Sequence, residues 1–191
     1  MRTHHVRAGA AGVWSDLTGM HFPLFIELEG RPCLVVGGGA VAARKAKALE
    51  ESGARVVQVA PEVSGRGFAD TDVEGMTLVV AATDDPAVNR RVADLCKARG
   101  IPVNVVDDPA NCTFIFPAIL RKGPIVAAVS SGGACPVAAK LVRDGIAGLV
   151  SDDFASAVED LGARREELKR TYPDPRERMR VCEEALAKWT D

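Results

Sequence analysis

Three short stretches hold the residues best placed to do chemistry. The first is Gly37-Gly38-Gly39, which follows the apolar run Cys33–Val36 and precedes a helical pattern. Gly37-x-Gly39-x-x-Ala42 fits the dinucleotide fingerprint, with Ala in the third small position. Gly37 permits a tight turn, Gly39 lets a pyrophosphate approach the backbone, and Ala42 lets helix and strand pack closely. The free N–H groups of the new helix then face the phosphates. The second stretch is Thr83-Asp84-Asp85-Pro86, and the third is Asn104–Asp108. Each closes an apolar run, so both belong beside the glycines at the carboxyl ends of strands, where open α/β sheets bind ligands.

The chemistry available there is that of a carboxylate. Asp107 closes the run that ends at Val106, where a nicotinamide should sit. It can accept a proton or hold an N–H-bearing substrate, or Asp107 and Asp108 can simply cap a turn before Pro109; position in the sequence leaves these equal. Asn104 either orients a substrate or satisfies backbone groups. Ser130 and Ser131 precede two glycines and a helix, which makes either a carboxylate-binding nest or ordinary caps. Glu62 lies about twenty residues past the fingerprint, where an acid often binds the adenosine ribose, and would favour NAD over NADP. It also reads as an exposed loop residue, and nearby Arg66 softens the cofactor preference.

Other chemistries lack their residues. All three histidines, His4, His5 and His21, precede the fold, which argues against a Ser-His-Asp triad or a histidine-bound catalytic zinc. The one tyrosine, Tyr172, has Arg176 four residues on, so no Tyr-x-x-x-Lys pair exists, and the G-x-x-x-x-G-K phosphate loop is absent. The five cysteines form no C-x-x-C pair, which suits a reduced, cytoplasmic protein and no metal site.

The elements that must position these residues alternate. Cys33–Val36, Arg55–Ala60, Thr77–Thr83 and Ile101–Val106 read as strands. Helical patterns follow Gly39 and Asp85, the latter with an acid at the cap, Pro in the first turn, and Val88, Val92, Leu95 and Cys96 on its buried face. The segment Val63–Met76 leaves room for only one brief crossover. This grammar predicts an α/β, Rossmann-like, parallel, doubly wound sheet. Phe22–Leu28 is an apolar edge strand or packing arm, and residues 1–20 read as a loose tail without a signal-peptide core.

After Cys112 the grammar changes. Thr113–Leu120 and Pro124–Ser130 read as a hairpin, followed by a helix with Ala138, Val142, Ile146 and Leu149 on one face. Two more helices carry Phe154, Val158, Leu161 and Leu168, then Met179, Cys182, Leu186 and Trp189. The expected division is a tail (1–20), a nucleotide domain (21–111), a dimerisation hairpin and helix (112–150) and a helical domain (151–191). The length of 191 residues allows a proper core, the net charge of −2 argues against nucleic acid or an anionic membrane, and no apolar run is long enough to span a bilayer.

Five motifs in order, PLFIEL, VVGGGAVAARKAKAL, AATDDPAVNRRVADLC, VNVVDDPANCTFIFPA and AVSSGGACPVAAKLVR, resemble the precorrin-2 dehydrogenase family, which includes the N-terminal module of siroheme synthases. The resemblance runs from about Phe22 to about Val150. It implies NAD-dependent oxidation of precorrin-2 to sirohydrochlorin, on the way to siroheme. Some members also insert Fe²⁺, with the macrocycle supplying the nitrogen ligands, and homodimers are typical. By the resemblance, Gly37, Gly39, Ala40 and Val41 match the pyrophosphate loop, and Pro61 and Glu62 the adenosine-ribose position. Thr83 matches a residue on the nicotinamide side. Asp107 matches the active-site aspartate, and Ser131 a serine close to the tetrapyrrole. Val63–Met76 is shorter than the family's usual segment, which bears on the adenosine pocket. Arg44, Lys45, Arg121, Lys122 and Lys140 are candidate partners of substrate carboxylates, or solvated surface charges. The competing class is a catalytically silent NAD-binding, redox-sensing module, which needs no acid beside the nicotinamide.

Overall fold

In a computed structural model, residues 21–189 are described; the tail expected over 1–20, with His4 and His5, lies outside them. Four strands form one parallel sheet in the order β2-β1-β3-β4, with β1 Pro32–Val36, β2 Arg55–Val59, β3 Leu78–Ala81 and β4 Val103–Val105. Helix α1 (Ala40–Glu50) joins β1 to β2, and α3 (Pro86–Ala98) joins β3 to β4.

Alternation along β1 and β3 sorts their side chains onto two faces. Cys33 and Val35 pack with Ala42, Ala46 and Leu49 of α1. Leu34, Val36 and Val79 pack with Val92, Ala93 and Cys96 of α3. Both faces are covered, so these strands read as unbroken apolar runs. Burial pushes the Cys96 thiol up to about 11 and raises that of Cys33, so both behave as small apolar residues.

From β1 the chain moves outward to β2, then crosses back over β1 to β3. The strand order therefore reverses between β1 and β3, and at that switch point the carboxyl ends leave a crevice. The β2–β3 crossover is as brief as its sequence predicts: a four-residue helix α2 (Pro61–Ser64) and one 3₁₀ turn (Asp70–Val73). Val73 is fully buried against the α3 face.

The arm at 21–28 forms no strand. Phe22, Leu24, Phe25 and Ile26 are exposed and only Leu28 is buried.

The chain divides after Phe116, not after Asn111 as expected. The reason lies on the open edge of β4. Thr113 N–H donates to the Val103 carbonyl at 2.8 Å, and the Thr113 hydroxyl accepts from Val103 N–H at 2.8 Å. Phe114 and Phe116, 5.3 Å apart, pack on the α1 face, and the Lys45 ammonium sits 3.7 Å from the Phe116 ring centre. Cys112–Phe116 thus closes the sheet edge instead of starting the hairpin.

In the second unit, β5 (Ala118–Lys122) pairs antiparallel with β6 (Ile125–Val129). Helix α4 (Pro136–Leu149) follows, then α5 (Asp152–Ala163), α6 (Arg165–Thr171) and α7 (Pro175–Leu186). The single helix expected to carry Phe154 through Leu168 is broken at Arg164. The regions 112–150 and 151–191 were expected as separate domains, yet 117–189 forms one unit. Lys122 pairs with Asp152 at 3.1 Å, and Gly123 lies against Ala155. The α4 face that carries Ala138, Val142, Ile146 and Leu149 is largely open: Val142 and Leu149 are exposed, and Ala139 is the buried residue of the helix. No helix among the described residues is long and apolar enough to cross a membrane.

Candidate functional site

The crevice at the switch point is a cleft of about 540 Å³ lined by the three stretches that sequence singled out. Its lining includes Gly39, Ala40 and Val41 from the first, Thr83 and Asp84 from the second, and Val106, Asp107 and Asp108 from the third.

The glycines divide their work. Gly37 has φ +131°, and a Cβ there would lie 2.7 Å from the Ala82 carbonyl carbon. The turn is held by Gly37 N–H donating to the Val59 carbonyl at 2.9 Å and by Gln58 Nε2 donating to the Gly37 carbonyl at 2.8 Å. Gly38 faces Glu62, whose Cγ would stand 2.6 Å from a Cβ at that position. Gly39 has φ −70° and nothing within 4 Å of where a Cβ would be. That space is open. Helix α1 begins directly after it, with no acid in its first turn to compete for the first N–H groups. A dinucleotide pyrophosphate fits this loop and helix start. Pro61 and Glu62 begin α2 just past β2, which brings the Glu62 carboxylate beside the glycine loop.

Helix α3 is started by Asp85, whose Oδ1 accepts from Ala87 N–H at 2.8 Å and Val88 N–H at 3.4 Å. Asp85 is therefore a cap. Behind it sits Asn89, which the apolar periodicity of α3 passed over; it is buried and binds Thr83 through both ends of its amide.

The structure gives the two neighbouring aspartates different surroundings. Asp108 Oδ2 accepts from Asn111 Nδ2 at 2.7 Å, and its carbonyl accepts from Asn111 N–H at 3.1 Å, so Asp108 braces the turn. Asp107 is exposed, has no polar partner, and stands at φ +59°, the one described non-glycine residue with positive φ. A non-glycine residue held there costs about 1–3 kcal/mol, the kind of strain that collects at functional sites. Asp107 is part of the cleft lining.

Asn104 does not line the cleft. It is buried, and its Nδ2 donates to the Phe114 carbonyl at 3.1 Å, which fastens the edge-closing segment. Ser130 and Ser131 belong to the second unit. Ser130 Oγ accepts from Gly132 N–H and Ser131 Oγ from Cys135 N–H, both at 3.0 Å, so each serves the turn before α4.

Of the basic residues expected near substrate, Arg44 and Lys45 do not line this cleft. Burial, helped by the neighbouring Arg44, lowers the Lys45 pKa while its ammonium rests on Phe116. The cation in the lining is Arg90, which sequence reasoning missed. It is exposed and unpaired, unlike Arg91 beside it, which binds Asp70. A periodicity count that places Asn89 toward the sheet would have brought Arg90 to the cleft rim. A second groove, of about 460 Å³, lies among α5, α6 and α7; its lining includes Val158, Leu161, Leu168 and Met179 and offers no acid.

Residues 24–118 match the model of a family described as putative NAD(P)-binding. The chain is similar to a siroheme synthase of Ectopseudomonas mendocina, with 45% identity over 178 residues that cover 86% of this chain and 38% of the relative. It is also similar to a siroheme synthase of Methylococcus capsulatus, with 41% identity covering 87% of this chain and 38% of the relative. The chain thus spans less than half the length of these curated relatives. Among solved structures, one described as SirC, precorrin-2 dehydrogenase, shares the fold with TM-score 0.67 and 24% identity, covering 86% of this chain and 88% of that one.

Proposed function

We propose that the chain, which matches an NAD(P)-binding family model and aligns over 86% of its length with a siroheme synthase, belongs to the precorrin-2 dehydrogenase family and oxidises precorrin-2 to sirohydrochlorin with NAD⁺. One observation carries the reading: an open glycine loop and an unpartnered, left-handed Asp107 line the same cleft.

NAD⁺ supplies the hydride acceptor. The glycine loop and the first N–H groups of α1 hold its pyrophosphate, and Glu62 serves the adenosine ribose and disfavours a 2′-phosphate there. Losing hydride from the macrocycle leaves one proton to be removed. Asp107 takes that proton, or holds the pyrrole N–H groups while it departs. Arg90 offers the cleft's positive charge to a substrate carboxylate. Ser131 is a further candidate contact to the tetrapyrrole, as the family resemblance implies. A second copy of the chain covers the apolar face of α4, giving a homodimer of the cytoplasm. Fe²⁺ insertion into the product is a second step of the same site, with Fe²⁺ as substrate.

The test is anaerobic incubation with enzymatically generated precorrin-2 and NAD⁺, following NADH and the tetrapyrrole spectrum, with Fe²⁺ added afterwards. Stoichiometric NADH with sirohydrochlorin is expected, and Fe²⁺ consumption faster than in a protein-free control. Asp107→Ala should retain NAD⁺ binding and lose at least about a hundredfold in turnover. Full turnover by that variant would remove Asp107 from the mechanism. NAD⁺ binding without any NADH formation would favour the redox-sensing module instead.

A further inference from the structure

Thr83 lines the cleft, and the chain dictates which way its hydroxyl proton points. Asn89 is 9% exposed, and its amide is locked by one residue's backbone. Its Oδ1 accepts from Thr83 N–H at 3.1 Å, and its Nδ2 donates to the Thr83 carbonyl at 2.9 Å. Turning the amide over would set donor against donor and acceptor against acceptor, so the Oδ1 position is fixed. That same Oδ1 lies 2.8 Å from Thr83 Oγ1 and can only accept, so the hydroxyl must donate to it. The other acceptor in reach, the Asp85 carbonyl at 3.1 Å, also belongs to the chain. One lone pair of Oγ1 takes Asp85 N–H at 3.2 Å. What remains for the cleft is a single lone pair.

We propose that Asn89 is a positioning residue that makes Thr83 an obligate hydrogen-bond acceptor, selecting an N–H donor on the bound ligand. The inference rests on the dinucleotide reading above and adds the chemistry of one contact. A ligand carbonyl or carboxylate at this point would meet a lone pair and be rejected; an N–H is welcomed. The two donors the reaction brings are the nicotinamide carboxamide and the pyrrole N–H groups of the substrate. Sequence position gives Asn89 only a helical slot, and its function comes from the closed loop of bonds with Thr83.

The experiment compares binding of NAD⁺ with that of its 3-acetylpyridine analogue, which lacks the carboxamide N–H, in the absence of tetrapyrrole. The wild-type protein should prefer NAD⁺ by about fivefold to tenfold, the worth of one hydrogen bond. Thr83→Val, which leaves both backbone bonds of Asn89 in place, should bring the ratio close to one, and Thr83→Ser should restore it. Asn89→Ala should reduce the ratio although the Thr83 hydroxyl remains; loss of packing alone would weaken both dinucleotides equally. If the ratio is the same in wild type and Thr83→Val but the variant raises the KM for precorrin-2 about fivefold at saturating NAD⁺, the selected donor is the pyrrole N–H. An unchanged ratio together with an unchanged KM overturns the inference. A wild-type protein that binds neither dinucleotide overturns the cofactor reading itself, and this inference with it.

Discussion

In the first unit every residue of β3 and β4, and all of β1 but Pro32, is buried; in the hairpin of the second unit none is. The helices differ in the same way. Helix α3, with 13 residues, buries Asn89, Val92, Ala93 and Cys96, while α4, with 14, buries Ala139 alone. Val137, Leu141 and Leu149 of α4 are 64%, 67% and 81% exposed. The nucleotide unit completes its core within one chain. The hairpin–helix unit has an amphipathic pattern but too little of its own surface to cover it, which is the ground for proposing a second copy there.

The largest expected effect contrasts these cores directly. Leu34 is fully buried between β1 and α3, so Leu34→Ala should lower stability by about 3 kcal/mol in chemical denaturation, independent of protein concentration. Leu141→Ser should leave NAD⁺ binding intact and shift the sedimentation profile toward monomer. If Leu141→Ser leaves the association state unchanged, the apolar face of α4 is not where copies meet.

Within the first unit, two glycines give the next contrast. Gly37→Ala meets the Ala82 carbonyl and a left-handed φ, and should cost about 2 kcal/mol of stability and abolish NAD⁺ binding. Gly39→Ala finds open space and an ordinary φ, so stability should move by less than about 0.5 kcal/mol while NAD⁺ affinity falls about tenfold or more. Equal loss of thermal stability in the two variants would mean that Gly39 serves the turn and not a ligand.

These contrasts also mark where the sequence was legible. The parallel sheet was readable because strands buried on two faces must be apolar throughout, and the Asp85-Pro86 start of α3 because a cap has local chemistry. The role of Asn104 was not, since it depends on meeting the Phe114 carbonyl across the sheet edge, a contact no spacing encodes. Asp107 stood out in sequence, but whether it serves a site or caps a turn was open there; the turn's φ values and the side chain of Asn111 show that Asp108 braces the turn while Asp107 has no polar partner. Asn89 was hidden because a polar residue on the apolar face of a helix looks like noise until its partner is seen. The α4 face shows the opposite limit: its pattern was legible, but amphipathicity shows that a surface wants cover, not which chain supplies it.

The smallest effect concerns the trimmed crossover between β2 and β3, which is held more by charge than by burial. Asp72 accepts from Arg66 Nη1 and Nη2 at 2.8 and 2.6 Å and from Ala69 N–H at 2.8 Å, while Asp70 binds Arg91 and ties the segment to α3. The hydrogen bond from Arg66 holds the Asp72 carboxyl below its ordinary pKa, and Arg91 does the same for Asp70. A lowered folded pKa means stability that is present above the unfolded value of about 4 and is lost as pH falls through the folded one. Asp72→Ala should therefore cost about 1 kcal/mol at pH 7, with the gap from wild type closing as the solution is taken well below pH 4. A gap that persists at low pH would assign the loss to the geometry of the 3₁₀ turn and not to the charge. It would then be Val73, the one buried side chain of that turn, that anchors the crossover.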